Sequence, residues 1–135
     1  MSAGEDAIEK AILRQAPDVI IFADVTGTIR EWNDRAVQLF GYTREEALGR
    51  GLDIIIPERL RAAHWEGFRA AVAAGRTRSG GRAVLTRAVA KGGEKLYVEM
   101  SFSLLLDEGG VVLGAIAIAR HVQPKHLDAN EPAKA

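Results

Sequence analysis

Cysteine is absent from this chain of 135 residues. That excludes disulfides, thiolate metal sites, cysteine nucleophiles and light sensing through a cysteinyl adduct. An excess of either charge is absent too: 18 basic and 18 acidic side chains give a formal net charge of +0. No broad electrostatic field therefore draws in nucleic acid or anionic lipid. Long apolar runs are also lacking. The longest lies near residues 111–119 and is far too short to cross a bilayer. The start, MSAGEDAIEK, is acidic and unlike a signal peptide. A cytoplasmic protein, with neither membrane attachment nor direct nucleic-acid binding, is the expectation. Catalytic signatures are missing as well: G-x-x-x-x-G-K-[ST], G-x-S-x-G and H-E-x-x-H do not occur. Asp24, Asp34, Glu45 and Glu46 stand at turns and helix starts, where carboxylates cap backbone donors. The stretch GRTRSGGR at 75–82 lacks the strand–loop–helix setting of a phosphate cradle. An enzyme is not expected.

The chain is 47% apolar and 27% charged, an ordinary balance for one compact domain with a real core. Residues 4–15 pattern as a short amphipathic helix carrying Ile8, Ala11 and Ile12, which Pro17 ends. Residues 18–23 and 28–32 pattern as a hairpin around Asp24–Gly27, with Gly27 free to take positive φ. Asn33 is the N-cap of a helix that Gly41 closes. Thr43 and Glu46 form a capping box for another short helix ending near Gly49. The stretch DIIIP is a brief turn. A longer helix runs from about Glu58 to Ala74.

The period then changes from 3.6 to 2. Residues 82–90, 95–106 and 111–122 pattern as three strands joined by turns at 91–93 and 107–110. In the middle strand Leu96, Val98, Met100, Phe102 and Leu104 face the core. Lys95, Tyr97, Glu99 and Ser101 face the other way. From Pro124 the chain is polar. The expected organisation is a flanking helix at 1–16, a domain at 17–122 and a disordered tail at 123–135. Strands segregated from helices define an α+β domain, with a ligand cleft expected between the two layers.

The longer helix carries an anomaly. Leu60, Ala63, His64, Gly67, Phe68, Ala71 and Val72 fall on one apolar stripe, so an imidazole sits inside it with a glycine one turn later. Neutral imidazole is a good metal ligand. Glycine at 67 costs about 0.8–1.0 kcal/mol of helix propensity relative to alanine, which fits a position where something large passes close to the backbone. The bland alternative is a histidine donating to a backbone carbonyl, with Gly67 merely admitting the indole of Trp32 or Trp65.

The order of elements resembles the PAS sensory-domain family over about residues 8–122. The features that carry the resemblance are the hairpin turn with Asp24 and Gly27, Asn33 opening the next helix, the F-G-Y-T-x-E-E-x-x-G run from Phe40 to Gly49, and the final hairpin LYVEMSFSLLLDEGGVVLGAIAIARHV. The resemblance implies a five-stranded antiparallel sheet flanked by short helices. It also implies sensing, usually by dimers coupled to a histidine kinase, a cyclase or a transcription output.

Ile56-Pro57-Glu58-Arg59-Leu60-Arg61-Ala62-Ala63-His64 is similar to the haem-binding FixL/Dos-type subgroup, whose proximal ligand follows an I/M-P-x-x-x-R-x-x-H pattern. The resemblance puts His64 at the iron and implies a binding site formed with Gly67, Phe68, Arg82, Val84 and Met100. The chain also departs from the subgroup. Val84 stands where the rhizobial sensors place a gas-binding arginine. Arg82 stands where the Dos-type proteins place a sixth-ligand methionine. Arginine cannot ligate iron, but it can bond a distal ligand or, like Arg76 or Arg78, pair with a propionate.

Met100 is a further sulfur donor or simple core packing. Arg76, Arg78, Arg82 and Lys91 stand either as an anion site or as solvated loop and strand edge. His121 and His126 pattern as surface residues. Another small apolar or aromatic ligand, or a ligand-free dimerisation module, stays open. The first helix either crosses a partner subunit or folds back on its own sheet.

Overall fold

The structure is a computed structural model and describes residues 3–123. Its elements are α1 (Ala3–Gln15), β1 (Val19–Asp24), β2 (Ile29–Trp32), α2 (Asp34–Phe40), α3 (Arg44–Ala47), α4 (Arg61–Ala74), β3 (Val84–Val89), β4 (Lys95–Leu106) and β5 (Val112–His121). The stretch expected as a loose turn is a 3-10 turn, Leu52–Ile55, and a second one, Glu58–Leu60, leads into α4. The expected polar tail from Pro124 onward, with His126, lies outside the described residues.

The five strands form one antiparallel sheet in the order β2-β1-β5-β4-β3. The first hairpin and the last three strands thus meet where β5 docks between β1 and β4. Helices lie over one face. Val19, Ile21 and Ala23 of β1, Leu96 and Val98 of β4, and the Ile54–Ile55 turn fill the core between the layers. Trp32 and Phe40 are wholly buried, with ring centroids 5.7 Å apart. The Trp32 indole donates to the Tyr42 carbonyl at 3.0 Å, so its one polar atom is satisfied.

Local signals appear where the sequence put them. Asn33 caps α2 through its side chain, and Thr43 with Glu46 forms the reciprocal capping box of α3. Asn33 has a second role that the sequence did not expose. Its Oδ1 accepts from the backbone N–H of both Ala36 and Ile20, and its Nδ2 donates to the Asp18 carbonyl. One buried amide therefore ties the start of β1 to the start of α2.

α1 lies against α2 and leaves Ile8 and Ile12 exposed. β5 is amphipathic in an inverted sense. Ala115, Ala117 and Ala119 point toward the helices, whereas Ile116 and Ile118 point outward. Small residues inside leave room above the sheet.

Candidate ligand cavity

The room left by one of those alanines, Ala117, is part of a cavity of about 520 Å³. This is within the usual range for small-molecule and cofactor sites, about 300–1,000 Å³. α4 forms one wall with Ala63, His64, Gly67, Phe68 and Ala71. These recur at i, i+1, i+4, i+5 and i+8, so the apolar stripe read from the sequence is the cavity-facing stripe, less Leu60 and Val72. Val84 and Ala88 of β3, Met100 and Phe102 of β4, and Ala117 of β5 form the opposite wall. Strand pairing fixes their layout: Val84 sits opposite Met100, and Phe102 opposite Ala117. Leu52, Ile55 and Ile56 close one end, while Thr77, Arg78, Ser79 and Arg82 supply a polar rim.

All six candidate site residues, His64, Gly67, Phe68, Arg82, Val84 and Met100, therefore line a single cavity. Phe68 is buried and packs against Phe102 across the hollow, ring centroids 6.2 Å apart. Arg82 lies in the turn before β3 rather than on the strand, which begins only at Val84. Val84 is half exposed, toward the cavity mouth. Lys91 does not join Arg76, Arg78 and Arg82, because its Nζ bonds Glu46 at 2.6 Å. The four-cation site is thus broken up; of its members Arg78 and Arg82 line the cavity, and Arg87 of β3 lines it too. His121 is exposed, as expected.

His64 is half-buried, and its Nδ1 is buried without a hydrogen-bond partner. Among the described residues its Nε2 has no hydrogen-bond partner either. A histidine held structurally by a carbonyl is therefore not what this chain has. Burial lowers the His64 pKa below its ordinary value, and the Asp53 carboxylate only partly offsets this. The ring is accordingly a neutral imidazole, the form that binds a metal. Among the described residues no group of three or more His, Cys, Asp or Glu side chains is placed to hold a bare metal ion. Above Gly67 a built Cβ meets nothing within 4 Å, so the missing side chain enlarges the hollow.

Neither tryptophan is the reason for Gly67. Trp32 is in the core, and Trp65 packs elsewhere: a Cβ built at Gly27 would overlap its indole. A second, more polar hollow of about 400 Å³ lies beside Arg35, Gln38, Arg120 and His121 at the far end of β5. There Arg120 is already paired with Asp18 at 3.1 Å. It lacks the apolar walls of the first.

A five-stranded antiparallel sheet with helices over one face, enclosing a cavity between the layers, defines a sensory-domain architecture. The PAS fold family matches residues 10–122, and the chain belongs to that family. Its fold is similar to the PAS domain of a Colwellia psychrerythraea protein, with a TM-score of 0.71, 22% identity, and coverage of 87% of this chain and 97% of that one. The chain is 35% identical over 80 residues to the oxygen sensor protein DosP of Escherichia coli K12, covering 59% of this chain and 10% of DosP. It is 36% identical over 55 residues to the sensor protein FixL of Bradyrhizobium diazoefficiens, covering 41% of this chain and 11% of FixL. A protein of Azorhizobium caulinodans is 33% identical over 97 residues, 71% of this chain and 13% of its own length. The chain thus spans only 10–13% of the curated relatives it matches. Among the described residues no helix is long and apolar enough to cross a membrane.

Proposed function

We propose that this PAS domain senses through haem held in the cavity, with His64 as the axial ligand. The observation that carries this is the state of His64: a neutral imidazole without a hydrogen-bond partner, on the wall of an apolar hollow of cofactor size. Three further features fit a flat macrocycle. Gly67 opens the helix surface one turn from His64, Ala117 of β5 keeps the facing wall low, and Arg78 and Arg82 at the rim offer cations for propionates. Haem supplies an iron centre whose coordination changes with a gas or with redox state.

The chain's own residues do the rest. α4 fixes the imidazole. Phe68 and Phe102 pack across the hollow and exclude water there. Met100 lines the sheet side, where a sulfur atom can approach a ligand. Sensing then follows from unequal affinity of the ligand for two arrangements of α4 and β3. The similarity to the oxygen sensor DosP and the sensor FixL supports the sensing role. The test is an absorption titration with hemin. A strong Soret band that His64→Ala abolishes supports haem ligation, and a colourless protein after reconstitution rejects it.

A second activity rests on the outer surface. Ile8 and Ile12 on α1 are more than 60% exposed, and the outer sheet face carries exposed Leu105, Leu113 and Ile118. Patches of that kind mark interaction sites. A homodimer through α1 and this face is the accompanying proposal, relaying to a histidine kinase, cyclase or transcription output rather than to chemistry of its own. Deleting residues 1–15 should convert dimer to monomer in light scattering; an unchanged mass would count against that interface.

A further inference from the structure

The contact that positions His64 comes from the residue beside it. α4 meets the first hairpin through the Trp65 indole. Two atoms of that ring occupy the space where a side chain on Gly27 would stand. Gly27 is buried at φ +84°, in the turn between β1 and β2. The indole also lies 3.8 Å from where a Cβ on Gly51 would be. Gly51 is bridged to Thr28, and Leu52 N–H donates to the Gly27 carbonyl at 3.0 Å. Gly27 thus leaves a slot that Trp65 fills, with Gly51 bordering it at ordinary contact distance. On its other side the indole meets the His64 imidazole edge-on, centroids 4.8 Å apart, and Phe68 at 5.6 Å. Among the described residues neither nitrogen of His64 has a hydrogen-bond partner, so no hydrogen bond orients its ring. Aromatic packing remains to do so, from Trp65 first and from Phe68 at 6.3 Å.

We infer that Trp65 is a positioning residue: wedged into the Gly27–Gly51 slot, it sets the direction of the His64 ring and couples events at His64 to the turn between β1 and β2. The assignment deepens the cavity proposal, and its haem arm rests on it. The coupling itself does not need haem. A ring rotation at His64 cannot leave the adjoining indole undisturbed, and the indole has no slack on the Gly27 side. The disturbance therefore reaches the backbone at Gly27 and Thr28, and from there the Leu52–Ile55 turn that closes the cavity end.

The test uses ¹⁵N-labelled whole chain without ligand, and then hemin. In the ligand-free protein, His64→Ala should shift the Trp65 indole N–H and the Gly27 and Thr28 amides, leaving Gly109 and Lys91 unmoved. Unmoved Gly27 and Thr28 signals would overturn the coupling. In the Trp65→Phe background, which keeps an aromatic ring, the shifts should persist at reduced size; Trp65→Ala should lose them. In the hemin arm, Trp65→Phe should keep the wild-type spectrum and affinity. Trp65→Ala should bind at least tenfold more weakly, with an altered Soret position. Wild-type affinity and spectrum in a folded Trp65→Ala protein would reject the positioning role. If the wild type takes up no hemin, the cofactor assignment has failed, and the amide shifts alone decide the Trp65 proposal.

Discussion

Gly27→Ala separates two costs that usually arrive together. Gly27 has φ +84°, and an alanine there sits in the left-handed region at about 1–2 kcal/mol. Its methyl would also overlap the Trp65 indole. Forcing extra volume into a packed site costs about 1–3 kcal/mol more. Gly49 provides the control. Its φ is +89°, but a Cβ there meets nothing within 4 Å. Gly49→Ala should therefore cost only the backbone share, about 1–2 kcal/mol, and Gly27→Ala about 2–5 kcal/mol in all. With a urea slope of about 1.5 kcal/mol/M, the midpoint for Gly27→Ala should fall by roughly 1–3 M. A double-mutant cycle then locates the excess. In a Trp65→Ala background the overlap is gone, so Gly27→Ala should revert to the Gly49→Ala cost. The coupling energy should be about 1–3 kcal/mol. Equal losses for Gly27→Ala and Gly49→Ala, with no coupling to Trp65, would refute the wedge.

Two more perturbations test the frame that holds the cavity. Asn33→Ala removes the α2 cap, about 1 kcal/mol, and leaves the part-buried Ile20 N–H and Asp18 carbonyl without their partner. A loss of about 2–4 kcal/mol in urea unfolding is expected; a loss under 1 kcal/mol would mean that water replaces the amide. Partial burial of Asp24 opposes its ionisation, but hydrogen bonds from Thr26, Arg30 and Thr28 outweigh this and bring its pKa down from 3.8 to about 2. The sign follows from linkage. The depressed pKa stabilises the fold above pH 3.8, and that contribution disappears as pH falls toward 2. Solvent screening at this turn limits it to about 1 kcal/mol. Asp24→Asn should flatten the pH dependence of the unfolding midpoint across that window, and an unchanged slope would contradict the assignment.

Much of this architecture was legible because it is local. Asn33, the Thr43–Glu46 box and the turns at 91–93 and 107–110 act within a few residues, so their chemistry can be read directly from the chain. The His64 stripe was legible through its helical period, and it proved to be the stripe that lines the cavity. What was hidden depends on contacts between distant segments. Trp65 meets Gly27, Asn33 reaches back to Asp18, and Lys91 is drawn away from the arginines by Glu46. None of these pairings leaves a periodic trace. The hollow itself had a signal that was easy to pass over. GAIAIA in β5 alternates small and large apolar residues, and only the sheet order reveals that the small ones face inward. The start of β3 also moved, from 82 to 84, because Ser79–Arg82 closes a glycine-rich turn first.

The central claim is that His64 presents a free imidazole to a guest large enough to need the whole hollow. Its most direct test is hemin binding to His64→Gly, with and without added imidazole. The wild type should bind hemin with a sharp Soret band, His64→Gly should lose it, and free imidazole should restore it by occupying the vacated place. Hemin binding that ignores both the substitution and the imidazole would contradict the claim.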